Sequence, residues 1–260
     1  MNRLTQKLQQ LKQQQRSGLV CYFTAGDPDF STSVELFSQL GRAGADIIEV
    51  GIAFSDPVAD GEVIQAAHAR ALDAGQTVAK TLQMLQAIRV EDEETPIVLM
   101  TYLNPILQYG IERLAAETEN IVDAILIVDA PLEYQAQFKS ILSAKNIQCI
   151  SMAAPTTPSH RLKQIADQAE GFLYYVSEKG LTGGSLEIST LEKRLEQIKP
   201  LFKVPVAVGF GIKNESQIKA LNHKADLMII GSALVETFSQ QGLQPTLDQV
   251  KKFASALKNA

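Results

Sequence analysis

Asp46-Ile47-Ile48-Glu49-Val50-Gly51 sets one carboxylate inside a short apolar run and opens onto Ile52-Ala53-Phe54-Ser55-Asp56-Pro57-Val58-Ala59-Asp60-Gly61. A run this short, with β-branched residues at three positions, reads as a strand buried on both faces. Runs of the same character recur at Leu19–Thr24, Ile97–Tyr102, Ala124–Asp129, Gln148–Ala153, Phe172–Ser177, Val206–Phe210 and Leu227–Gly231, making eight in all. Between them lie segments of 3.6-residue apolar periodicity, among them Ser31–Ala43, Val78–Arg89, Glu133–Lys145, Arg161–Ala169, Leu191–Lys199 and Glu215–Leu221. Eightfold strand–helix alternation in 260 residues predicts one α/β domain over 1–260, a closed (β/α)8 TIM barrel. An open doubly wound sheet is the alternative. It calls for a Gly-x-Gly-x-x-Gly turn after the first strand, and Phe23-Thr24-Ala25-Gly26-Asp27-Pro28 is not one.

Two further features shape this expectation. The second and third runs start 51 residues apart, well beyond the other intervals, so an extra segment from Phe54 to about Gly75 forms a long loop after strand 2. Loops on that side of a barrel build its active site. At the start, Met1–Ser17 is rich in glutamine and carries Leu4, Leu8 and Leu11 at helical spacing. It predicts an extra N-terminal amphipathic helix and lacks the continuous apolar core of a secretory signal.

Composition narrows the function. Twenty-four basic against 29 acidic residues give a net charge of −5 with no basic patch, which argues against nucleic acid. Apolar stretches such as Leu19–Phe23 stop at five residues, so no membrane span is expected. Cys21 and Cys149 sit 128 positions apart in apolar segments and read as buried thiols of a reducing, cytoplasmic compartment. The scattered His and Cys residues give no metal-ligand spacing. His68, in the loop-2 helix, and His160 and His223, at helix edges, read as surface or satisfied-core residues.

Glu49 is the leading candidate for chemistry. Burial raises a carboxyl pKa toward the range a general acid-base group needs, and no basic residue lies in a core strand to pair with it. Asp60, eleven residues on, can reach the same barrel mouth, although Asp56-Pro57 and Asp60-Gly61 also suit simple turns. Asp129 ends strand 4 as Glu49 nearly ends strand 2, and reads as a tie between loops. Gly183-Gly184 after strand 6, Gly209-Phe210-Gly211 after strand 7 and Gly231-Ser232 after strand 8 suit a phosphate held by backbone N–H groups, with Ser232 capping a helix from Ala233. Turn glycines without a ligand are the competing reading.

These motifs together resemble the tryptophan synthase alpha subunit family. The likeness rests on Phe23–Pro28, Glu49-Val50-Gly51 with Phe54–Pro57 and Ala59-Asp60-Gly61, Met100–Pro105, Ala154–Thr157, Gly180–Gly183, Gly209-Phe210-Gly211 and Gly231-Ser232. It implies a (β/α)8 barrel that cleaves indole-3-glycerol phosphate by a retro-aldol step. Glu49 would be its acid-base group and Asp60 would accept the indole N–H. It further implies that Tyr175 and Thr182 position these carboxylates and that Tyr22, Met100 and Val128 wall the indole pocket. Gly183, Gly184, Gly211, Gly231 and Ser232 would hold the phosphate. Asp56, Pro57, Asn104 and Pro105 would meet a beta subunit in an αββα assembly, with pyridoxal phosphate only in that partner and no cofactor in this chain. A stand-alone lyase and a non-catalytic phosphate-binding barrel acting as a regulatory partner are the alternatives. The sequence departs from the family at Ala53 and Glu62, where proline is usual. The loss predicts a looser loop 2, and Glu62 adds a charge near Asp60.

Overall fold

The computed structural model describes residues 2–176, 188–209 and 211–258. Eight strands, β1 (Gly18–Thr24), β2 (Ile47–Gly51), β3 (Ile97–Thr101), β4 (Ala124–Ile127), β5 (Gln148–Ala153), β6 (Leu173–Val176), β7 (Val206–Gly209) and β8 (Leu227–Ile230), close into a parallel barrel in sequence order. The closed sheet is what the eight apolar runs predict, and the open alternative falls with it. Several strands are a residue or two shorter than the apolar runs, because the last apolar positions already turn into the βα loops.

Register decides which side chains fill the barrel. Tyr22 is level with Glu49, Glu49 with Val98, and Gly51 with Met100. Across the barrel, Met152 is level with Tyr174, and Tyr174 with Ala207. Alternation then puts Tyr22, Glu49, Val98, Met100 and Tyr174 on the inner face, with Cys21, Ile48 and Tyr175 facing the helices. Cys21 and Cys149 are both free and buried, as expected of packing thiols.

The amino-terminal end of the barrel is closed and cross-tied. The helix Arg3–Gln13, capped by the Asn2 side chain accepting from Thr5 N–H, buries Leu4 and Leu11 beneath the strands. Gly18 admits this helix, since a Cβ there would lie 2.5 Å from Leu11 Cδ1. Every even-numbered strand is entered past an acid that accepts the N–H of a residue in the strand before it. Asp46 takes Leu19 N–H at 2.9 Å, Asp123 takes Ile97 N–H at 2.9 Å, Glu170 takes Cys149 N–H at 3.2 Å and Asp226 takes Val206 N–H at 2.8 Å. Each also meets a cation: Arg16 on Asp46, Arg3 and Arg89 on Asp123, Lys139 on Glu170 and Lys199 on Asp226.

The extra segment after β2 contains a helix, Glu62–Asp73, ahead of the helix Val78–Glu91 that leads to β3. Two short helices, Leu103–Tyr109 and Ile111–Glu117, meet at Gly110 between β3 and β4. Among the described residues no helix is long and apolar enough to cross a membrane.

Candidate active site

Glu49 stands on the inner face of β2, 1% exposed, and neither carboxylate oxygen has a hydrogen-bond partner among the described residues. A lone buried carboxylate resists ionisation. Burial first, and the nearby Asp60 charge second, push the Glu49 carboxyl up to about 8. Pairing with a buried Lys or Arg, the ordinary explanation for a core glutamate, is not what the structure shows.

Asp60 is 2% exposed and reaches this site from the loop after β2. Its Oδ2 accepts the Tyr102 hydroxyl at 2.7 Å and lies 3.4 Å from His68 Nε2. The loop that carries it is fastened at several points. Phe54 N–H donates to His68 Nδ1 at 3.0 Å, Ala59 N–H to the Tyr102 hydroxyl oxygen at 3.1 Å, and Gln65 Nε2 to the Asp60 carbonyl at 2.7 Å. The Phe54 and Tyr102 rings also pack at 5.2 Å. None of these ties involves Ala53 or Glu62, the two positions where the family usually has proline. Glu62 is exposed in the first turn of the Glu62–Asp73 helix, whereas Asp60 is buried.

Tyr22 leans along the barrel over Gly51, where any Cβ would collide with its hydroxyl. That hydroxyl lies 3.2 Å from Thr24 Oγ1 and 3.3 Å from His68 Nε2. The space that Gly51 leaves is thus taken by Tyr22. Burial, with the Asp60 charge, holds the Tyr22 phenol well above its usual range, so it stays neutral. Met100 is buried on the inner face and Val128 is half-buried at the end of β4. Asp129, by contrast, is exposed and accepts Leu103 N–H at 2.7 Å, tying two loops as expected.

One expectation is corrected. Tyr175 does not approach the carboxylates; it is level with Ala153 and Val208 on the outer face, and Arg194 Nε lies 3.4 Å from its hydroxyl. Tyr174 is the inward residue. Its ring and hydroxyl fill the space beside Gly209, where a Cβ would sit 2.6 Å away, and burial and the Glu49 charge raise its pKa. A one-residue change of register moves a side chain to the other face, which is why the two adjacent tyrosines exchange roles.

Thr182, Gly183 and Gly184 lie outside the described residues. Gly211 has φ +85, a conformation that favours glycine. Gly231 is the N-cap of the helix Ser232–Gln241, and Ser232 is its first residue, which corrects the expected capping role of Ser232. Gly231 lies close against the inward Tyr22, since a Cβ there would come within 3.2 Å of its ring. Asp56 is exposed and Pro57 half-exposed on the loop after β2, and Asn104 is exposed and Pro105 half-exposed in the first turn of the helix Leu103–Tyr109 that follows β3.

Three inward residues were not anticipated as site residues: His68, Tyr102 and Tyr174. His68 sits with Ile64, Ala67 and Ala71 on the buried face of its helix, a spacing visible in the sequence. A separate cavity of about 950 Å³ lies at the opposite end of the barrel, between the Arg3–Gln13 helix and the strand starts. Arg16, Lys199 and Asp226 of the cross-ties line it, whereas Glu49, Asp60, Tyr22, His68, Tyr102 and Tyr174 do not.

The profile of the tryptophan synthase alpha chain family matches residues 8–260. A tryptophan synthase alpha chain from Acinetobacter baumannii is 42% identical, covering 99% of this chain and 98% of its own. The crystal structure of tryptophan synthase subunit alpha from Legionella pneumophila superposes with a TM-score of 0.93 at 36% identity, covering both chains completely. A Mycobacterium tuberculosis tryptophan synthase structure gives a TM-score of 0.92 at 29% identity, over 99% of this chain and 98% of that one. With its barrel, its buried carboxylates and this full-length likeness, the chain belongs to the tryptophan synthase alpha chain family, lyases of tryptophan biosynthesis.

Proposed function

We propose that this chain cleaves indole-3-glycerol phosphate to indole and glyceraldehyde 3-phosphate, with Glu49 as acid-base group and Asp60 as the acceptor for the indole N–H. The observation that carries the reading is the unpartnered Glu49 carboxyl, lifted to about 8 beside a second buried carboxylate. At neutral pH most of Glu49 is protonated and ready to deliver its proton to the ring carbon that bears the side chain. Asp60 favours the resulting indolenine cation by accepting its N–H. The Glu49 carboxylate left behind takes the proton of the adjacent side-chain hydroxyl. The carbon–carbon bond then breaks, its electron pair restores the neutral indole, and the hydroxyl carbon becomes the aldehyde. Glu49 ends as it began, and the protonated ring is the electron sink, so the step calls for no cofactor in this chain.

Tyr22, Met100 and Val128 would wall the ring pocket, with Tyr174 placed to orient Glu49. Gly211, Gly231 and Ser232, joined by Gly183 and Gly184, would hold the phosphate at a helix N-terminus. A beta subunit carrying pyridoxal phosphate is the proposed partner, in an αββα assembly that receives indole. The rim around Asp56, Pro57, Asn104 and Pro105 suits it, because Val58 on the same loop as Asp56 and Leu107 on the same helix as Asn104 are 76% and 56% exposed. A cytoplasmic setting accords with the two unpaired thiols.

Indole release from indole-3-glycerol phosphate, with and without a beta subunit, tests this reading. Slow release alone, strongly raised by the partner and lost in Glu49→Gln, is expected. Fast release indifferent to the partner would identify a stand-alone lyase. No release in either condition would leave a regulatory phosphate-binding barrel.

A further inference from the structure

We infer that His68 is a positioning residue, joining the loop after β2 to the Asp60 carboxylate so that Asp60 stands ready for the substrate N–H. The inference rests on the reaction proposed above and adds a residue to it.

The ring's tautomer follows from its neighbours. Phe54 N–H can only donate, and it points at His68 Nδ1 from 3.0 Å. Nδ1 is therefore the acceptor, and in the neutral ring the proton sits on Nε2. That Nε2–H faces two oxygens, Asp60 Oδ2 at 3.4 Å and the Tyr22 hydroxyl at 3.3 Å. The Tyr102 hydroxyl donates to the same Oδ2 at 2.7 Å. The Tyr102 hydroxyl and the Nε2 edge of His68 thus meet the same carboxylate oxygen from the protein side.

His68 is itself 2% exposed and is held on the inner face of the Glu62–Asp73 helix by Ile64, Ala67 and Ala71. A rigid helix therefore sets the carboxylate that a loop carries. A simple core histidine would not need contacts from both ring nitrogens to a loop backbone and to a proposed substrate-binding carboxylate. Placement of this kind matters to catalysis because a carboxylate displaced by about 1 Å can cost on the order of a hundredfold in rate.

The test compares kcat, KM and thermal stability for His68→Leu, His68→Gln and His68→Asn in indole release, using the chain with its beta subunit. Glutamine can place an amide N–H near the Nε2 position. Asparagine can place its oxygen near Nδ1, which keeps the Phe54 tie, but it stops short of Asp60. We expect His68→Leu to lower kcat about tenfold with a smaller change in KM. Glutamine should recover more of kcat than asparagine does. A leucine variant within twofold of the parent, or an asparagine variant equal to or better than glutamine, overturns the inference and leaves His68 as a loop anchor or a packing residue. A parent chain that releases no indole overturns the reaction and this inference together, whereas an active parent with an indifferent His68 overturns this inference alone.

Discussion

The two ends of the barrel treat carboxylates in opposite ways. At the amino-terminal end, Asp46, Asp123, Glu170 and Asp226 each accept a strand N–H and meet a cation. They fix the starts of β1, β3, β5 and β7 to the strands that follow. At the carboxyl-terminal end, Glu49 has no hydrogen-bond partner among the described residues, and Asp60 is met by a phenol and an imidazole. The same functional group is thus an ionised tie where its charge is compensated and a carboxyl that keeps its proton where it is not. The difference is one of surroundings, and substitutions at the two ends should separate into losses of stability and losses of rate.

The largest expected effect is on rate. Glu49→Gln should reduce indole release by roughly a thousandfold or more, since general acid-base groups contribute about 10²–10⁴-fold and the proposed mechanism uses Glu49 in both directions. Next comes Asp123→Ala at the other end. It would take from Arg89, which burial and the Arg3 charge already hold down at about 10, its Asp123 carboxylate, and would leave Ile97 N–H without its acceptor. Breaking a buried pair by removing one member costs about 3–5 kcal/mol. Chemical denaturation should show that loss, while indole release per folded molecule stays within about twofold. An Asp123→Ala protein that is stable but slow would break the division between the two ends.

Much of this division was legible in the sequence and part was not. The eight apolar runs locate the strands because both faces of a barrel strand are buried, and Glu49 stands out as the carboxylate inside one. Asp60 was legible as a candidate but not as a site residue on local grounds, since Asp-Gly also suits a plain turn. His68 carried a usable signal, three apolar neighbours at helical spacing, but burial on a helix face does not tell core from site. Tyr102 ends the third apolar run and shares the inner face with Met100 by alternation, which marks it as reachable from sequence. The choice between Tyr174 and Tyr175 was not, because two adjacent tyrosines in a fully apolar run carry no alternation to set the register. The cross-ties of the amino-terminal end also escape a sequence reading, because each joins residues 20 or more positions apart.

The pH dependence of stability sharpens the comparison. Glu49 has a folded pKa near 8 against an ordinary 4.5. Below the lower value the group is protonated in both states and contributes no penalty. As pH rises from about 4.5 to about 8 the unfolded chain ionises while the folded chain keeps its proton, so stability falls by up to about 1.4 kcal/mol per pH unit. Glu49→Gln removes this loss. The variant should therefore gain thermal stability over the parent as pH rises through that window and match it near pH 4.5. Identical pH profiles would mean that Glu49 is ionised and compensated in the folded protein, as the acids at the other end are.

The smallest effect tests the finest distinction, between neighbours on opposite faces of one strand. Tyr174→Phe removes a hydroxyl from the inner face beside Glu49, whereas Tyr175→Phe removes one that lies near Arg194. A single neutral hydrogen bond is worth about 1 kcal/mol, or roughly fivefold in rate when it acts on the transition state. Tyr174→Phe should lower kcat by about that factor with little change in stability. Tyr175→Phe should leave kcat within about twofold, its consequence confined to the packing of β6 against the helix Ile188–Ile198. Steady-state kinetics on the two variants side by side is the check, and the reverse ranking would place Tyr175, not Tyr174, within reach of the reacting carboxylate.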